Sequence, residues 1–165
     1  VEGPDDERFF NGVFVPFVKN KYDNIEVVKY AHLKKEKIKD FIRCIGRMKR
    51  DYIFAKDLNT SPCITARKQE VICDYTNIDG NKVIIVVKKI EGWYLAGLDQ
   101  DASKRMGIRY LRDTSSMTKE KFQKIQPKHF DSIVNFKIEL IRNFSIETAI
   151  KKNSSFDYFN RKWDC

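Results

Sequence analysis

The sequence predicts one α/β domain, a mainly parallel sheet flanked by helices and completed by a helical C-terminal portion. Three observations lead there. Short apolar runs over 25–30, 52–55 and 82–87 read as strands. Stretches with apolar residues three and four apart, the spacing of one helix face, stand between and around them. Beyond Asp99 only the helical pattern recurs. Strands that alternate with helices are joined by crossovers, and crossovers make neighbouring strands parallel. Residues 1–165 then form a single domain, with an α/β core over about 1–98 and a helical extension over about 99–165.

The first helix is expected over Asp5 to Val18, with Phe9, Phe10, Val13, Phe14 and Phe17 on its apolar side. Asp5, Asp6 and Glu7 fall in its first turn, where negative charge suits the helix dipole, and Pro16 should kink or end it. Ile25 to Tyr30 reads as a strand. Lys34 to Met48 reads as a helix with Ile38, Phe41, Ile42 and Ile45 on one face and lysines on the other. Tyr52 to Ala55 is a buried strand that ends on Lys56-Asp57-Leu58-Asn59.

Thr60-Ser61-Pro62 announces the next helix, a hydroxyl cap followed by proline, which should run to about Tyr75. Asp79-Gly80-Asn81 is a turn. Lys82 to Val87 is the plainest strand, with room to continue through Lys88-Lys89-Ile90 towards Tyr94. Helices are expected over 102–106, 119–125, 131–144 and 146–151, the third with Val134, Ile138 and Ile141 on one face. The chain opens Val1-Glu2-Gly3 without an initiator methionine, so the strand expected before Glu2 is very short or lies upstream of Val1.

Composition narrows the function classes. No run approaches the roughly 18 apolar residues needed to span a bilayer and no signal-peptide pattern opens the chain, so a cytoplasmic protein without membrane attachment is expected. The 32 Lys and Arg exceed the 23 Asp and Glu, giving a net charge of +9 and a bias towards polyanions, nucleic acid first. The lysines are spread along the chain, so a generally basic solvated surface stays open as the other reading. Cys44, Cys63, Cys73 and Cys165 show no metal-finger spacing and read as reduced, partly buried thiols. Two isolated histidines, His32 and His129, argue against a histidine-rich zinc site. A homo-oligomer stays open.

Ligands of parallel sheets collect at the carboxyl ends of the strands. Two acidic clusters fall there. The first is Glu2-Gly3-Pro4-Asp5-Asp6-Glu7, where Gly3 lets the backbone turn closely beneath a ligand. The second is Asp57-Leu58-Asn59, whose alternate residues point the same way in an extended segment. Oxygen ligands of this kind suit hard cations such as magnesium, which tolerate several waters, so two or three carboxylates suffice.

The pattern hydrophobic-Glu-Gly-x-x-Asp, followed after a βαβα stretch by hydrophobic-Asp-x-Asn, resembles a toprim domain, as found in topoisomerases, primases and OLD nucleases. The resemblance implies a Rossmann-like fold, Glu2 as the strand-end glutamate and Asp57-Leu58-Asn59 as the Asp-x-Asp segment. It also implies Asp6 as the second acid that OLD-like members place four residues after the glutamate. The implied metal set is Glu2, Asp57, Asn59 and Asp6, holding Mg2+ or Mn2+, with Glu2 and Asp57 catalytic in phosphodiester cleavage or transfer on DNA or RNA. Glu91-Gly92-Trp93 resembles the Glu-x-Trp segment of small toprim-like proteins and adds Glu91 to the candidates; Ser154-Ser155-Phe156 resembles their C-terminal Ser-Phe. Asn59 departs from the family's second aspartate, because an amide oxygen ligates without charge.

Each candidate has a plainer alternative. Glu2 could be a surface glutamate, Asp57 and Asn59 could serve a turn, and Asp5 and Asp6 could serve the helix dipole. Glu91 could pair with Lys88 or Lys89. Arg67 and Lys68 could hold a phosphate or coat a helix. Trp93 and Tyr94 could stack on bases or fill the core. Three functions follow: a metal-dependent nuclease, a non-catalytic nucleic-acid- or protein-binding module with a degenerate site, and a phosphotransfer enzyme with a small substrate.

Overall fold

The computed structural model describes residues 1–163 and shows a mixed α/β protein that is mostly helical. The helices are α1 (Pro4–Phe9), α2 (Val15–Val18), α3 (Lys35–Arg47), α4 (Ile64–Asp74), α5 (Glu91–Ala96), α6 (Gln100–Arg105), α7 (Lys119–Ile125), α8 (Ile133–Arg142), α9 (Ile146–Lys152) and α10 (Ser154–Trp163). A single parallel sheet holds two strands, β1 (Phe54–Asp57) and β2 (Val83–Val86), paired Phe54 with Val83 through Asp57 with Val86. The expectation of a larger parallel sheet is corrected to these two among the described residues.

Ile25 to Tyr30 is the strand that does not form. Only its end finds partners: the Val1 nitrogen donates to the Val28 carbonyl, and the Tyr30 and Ala31 amides donate to the carbonyls of Val1 and Glu2. The first two bonds follow a parallel pattern, and the third, from the next residue, belongs to the turn that follows, so no ladder forms. Tyr30 still reaches the sheet, stacking on Phe54 and donating its hydroxyl to the Ala55 carbonyl at 2.7 Å.

Pro16 does not end the first helical segment. A π-helical stretch, Phe10–Phe14, joins α1 to α2, and Pro16 stands in the first turn of α2 just beyond it. The cap of α4 is also corrected. Cys63 rather than Thr60 or Ser61 caps it, its sulfur accepting from the Ala66 amide, while the Ser61 hydroxyl donates to Glu70. β2 does not continue towards Tyr94, because Lys88 turns to a φ of 61° and α5 begins at Glu91. The face of α8 is rotated from the expected one. Phe136, Lys137 and Leu140 are buried, whereas Val134 is exposed. Cys44, Cys63 and Cys73 are exposed rather than partly buried, and Cys165 lies outside the described residues.

Two apolar clusters hold the molecule. The smaller gathers Tyr30, Ile38, Ile42, Phe54, Val71, Tyr75, Val83 and Ile85, so it lies between the sheet and helices α3 and α4. The larger joins Phe9, Phe10 and Val86 to Trp93, Tyr94, Phe122, Phe136, Leu140, Phe156 and Phe159, drawing on both sides of residue 98. Trp93 and Tyr94 are fully buried in it and therefore pack the core instead of stacking on bases. Trp93 also donates to the Ser155 hydroxyl, which accounts for the Ser-Phe segment in packing terms.

Candidate functional site

Glu2 and Asp57 meet at the carboxyl end of β1. The Asp57 amide donates to Glu2 Oε2 at 3.0 Å, and Lys56 Nζ stands 3.5 Å from Glu2 Oε1. Leu58 extends the strand pairing by donating to the Val86 carbonyl, and Arg67 Nε on α4 donates to the Asp57 carbonyl at 3.0 Å. Backbone bonds from both flanks thus fix Asp57. Arg67 also pairs with Glu70, so it holds the strand end in place of the phosphate considered for it.

The Asp57 side chain is buried, and its two oxygens have different fates. Oδ2 accepts from Lys89 Nζ at 3.0 Å, while Oδ1 finds no hydrogen-bond donor among the described residues. Leaving a buried carboxylate oxygen unsatisfied is costly. The effect appears in its titration: burial pushes the Asp57 carboxyl up to about 7, against the opposing pull of Lys89, with Asp6 and Glu2 adding to the rise. Asp6 is raised as well, first by burial and then by Glu2, while the Gly3 amide pulls it down. Three carboxylates therefore feel one another's charge.

Asp6 has a structural duty. Its Oδ2 accepts from the Gly3 amide at 2.9 Å, tying back the residue that precedes α1. Asn59 adopts a φ of 50°, a conformation asparagine tolerates better than most residues, and its Oδ1 accepts from the same Lys89 ammonium at 2.7 Å. Lys89 thus spans Asp57 and Asn59. Burial works to lower the Lys89 pKa, but Asp57 outweighs it and the net shift is upward.

Glu91 has a different partner. Its Oε1 accepts from Lys137 Nζ at 3.0 Å, and the same ammonium reaches Asp5 Oδ2 at 2.7 Å. Glu91 and Lys137 are both almost fully buried, so this is a core ion pair. Its partner is therefore neither Lys88 nor Lys89 but a lysine 46 residues away on α8. Lys89 and Lys137 are the two residues that sequence reasoning missed. Lys89 carried a faint signal, as a cation just beyond a buried strand. Lys137 carried none, since it occupies a helix position that normally faces solvent.

Among the described residues no group of three or more His, Cys, Asp or Glu side chains is arranged to hold a metal ion. Asp57, with one orphaned buried oxygen, and Glu2 beside it suit a hard cation chemically. Asn59 offers a neutral oxygen on the same side, Asp6 sits behind as a cap, and Glu91 is committed to Lys137. Compared with protein-family models, curated proteins and solved structures, the chain finds no match in any of the three, so the site is read from its own residues.

Proposed function

We propose that Glu2 and Asp57 form the centre of a toprim-like divalent-metal site, for magnesium or manganese, that serves phosphodiester hydrolysis or transfer on nucleic acid. The orphaned Oδ1 of Asp57 carries this reading, because a buried carboxylate oxygen without a donor calls for a partner that the fold itself does not supply. Glu2 and Asp57 would hold the ion, with Asn59 and Asp6 as neighbours; Glu91 serves the core. A bound divalent ion supplies positive charge for a phosphoryl oxygen and lowers the pKa of a coordinated water. The chain's own part is to set the two carboxylates. The Asp57 amide aims Glu2, Arg67 fixes the strand end, and Lys89 holds Asp57 and Asn59 together.

A second reading has its own observation. Lys89 already lies across Asp57 and Asn59 as a built-in cation, which favours a non-catalytic nucleic-acid-binding module that dispenses with the metal. Manganese titration separates the two. The metal site predicts binding by isothermal calorimetry that disappears in Asp57→Asn, with metal-dependent cleavage of DNA or RNA lost in Glu2→Gln and Asp57→Asn. A folded protein that ignores millimolar manganese leaves the binding module.

A further inference from the structure

Much of the chain's net positive charge arises in one segment. Between Lys34 and Arg50 eight Lys or Arg oppose only Glu36 and Asp40, a net +6 in a chain of +9. Most of this segment is α3, which buries Ile38 and Ile42 and turns its other side outward. Lys35, Lys39, Arg43 and Arg47 stand four residues apart and so form one slowly winding stripe. All but Lys39, which is half-buried, are exposed. At about 1.5 Å of rise per residue, successive cations are about 6 Å apart along the axis and the stripe is about 18 Å long. That step is close to every second phosphate of one nucleic-acid strand, where charges recur about every 3.4 Å.

The stripe leads somewhere. A cavity of about 220 Å³ opens where α3 begins, lined by Lys35, Tyr30, Tyr75, Asp74, Lys56 and Glu2. Its lining joins the first cation of the stripe to the first carboxylate of the candidate centre. Inside it, each lysine is only loosely committed to an acid: Lys35 pairs with Asp74 across an exposed contact, and Lys56 with Glu2 at 3.5 Å. The exposed Lys35–Asp74 pair contributes little and leaves Lys35 open to a phosphate, while the Lys56–Glu2 contact is partly buried but long. Phe41 on α3 and Met48 at its C-terminal cap, both exposed, add apolar surface beside the charges.

We infer that the α3 stripe Lys35-Lys39-Arg43-Arg47, continued by Lys56 across the cavity, is the track along which a nucleic-acid backbone reaches Glu2. The inference rests on the nucleic-acid part of the proposed function and is independent of the metal. Phosphates engage the stripe in sequence, and the cavity admits the phosphate nearest Glu2.

The test is fluorescence anisotropy with a labelled single-stranded oligonucleotide of twenty nucleotides, in chelator, over a salt series. Changing Lys35, Lys39, Arg43 and Arg47 together to Gln should weaken binding at least tenfold at low salt. It should also reduce the slope of log affinity against log salt by about 3, at about 0.7 per phosphate contact on a single strand. An equal loss of charge on the helical portion, Lys104, Arg105, Arg142 and Lys151 all to Gln, should change affinity less than threefold. Equal weakening by both sets would show that net charge alone acts and overturn the track. So would a wild-type protein that binds no oligonucleotide, or an oligonucleotide displaced by equimolar inorganic phosphate, which would mark an isolated phosphate pocket. Should the fourfold variant fail to fold by circular dichroism, Lys35→Gln and Arg47→Gln singly each carry the test, with a slope change of about 0.7 apiece. Because metal is chelated throughout, manganese calorimetry can fail or succeed without touching this result.

Discussion

Replacing Asp57 by Asn should make the protein more stable while removing metal binding. In the folded chain burial raises this carboxyl from 3.8 to about 7, so ionising it costs more in the fold than in the unfolded chain. The sign follows: relative to the high-pH limit, Asp57 contributes stability that is complete below 3.8 and lost as pH rises through about 7. At about 1.36 kcal/mol per pKa unit, the folded state carries a penalty of about 4 kcal/mol at pH 8 and about 2 kcal/mol at pH 5. Asparagine keeps the shape, can accept from Lys89, and removes the charge. Urea unfolding in chelator should therefore show Asp57→Asn stabilised by about 2–4 kcal/mol at pH 8, with a clearly smaller gain at pH 5. A variant destabilised at both values, or equally stabilised at both, would refute the assignment of strain to this carboxylate.

Two further substitutions test the frame around the site. Lys137→Ala leaves Glu91 buried without its partner and should lower stability by about 3–5 kcal/mol, whereas Lys137→Met combined with Glu91→Leu should recover most of the loss; thermal unfolding of the three chains decides it. Gly97→Ala should cost about 1–3 kcal/mol in urea unfolding, because a Cβ there would fall within the Phe144 ring, and Ser145 is already bonded to the Gly97 carbonyl.

The parts of this fold that were legible in the sequence are those where local pattern and burial agree. Val83–Val86 is apolar throughout, Ile38 and Ile42 recur at helical spacing, and both are buried as expected. The strand ending in Asp57 was legible for the same reason, and with it the meeting of Asp57 and Glu2. Three of the failures depend on remote partners. Ile25 to Tyr30 has strand composition, but a strand exists only where a neighbour supplies a ladder, and residues 1 and 2 supply three bonds. The apolar face of α8 was misplaced because Lys137 points inward, held there by Glu91 and Asp5 from two other helices. Likewise nothing local in Lys88-Lys89-Ile90 reveals that Lys89 would bridge Asp57 to Asn59.

The inward lysine explains why an acidic end of the chain can be held to a fixed place. Glu2 precedes α1, the opening of the helical segment that continues through the π-helical stretch into α2. Asp6 secures its start by capping Gly3, and the Tyr94 hydroxyl donates to the Asp5 carbonyl at 2.8 Å. Lys137 then binds Asp5 and Glu91 together, so α8 and α5 clamp α1 from the core side. Phe9, fully buried against Trp93, Tyr94 and Phe156, completes the anchor. Glu91 therefore bears on the candidate centre without touching it: by neutralising Lys137 it keeps α1, and through α1 the carboxylate of Glu2, in register with the amide of Asp57. If Glu2 is a ligand, as proposed, the helical portion supports the site. Loosening the Lys137 clamp should weaken manganese binding even though no proposed ligand is altered, whereas a site built from local sequence alone would be indifferent to it.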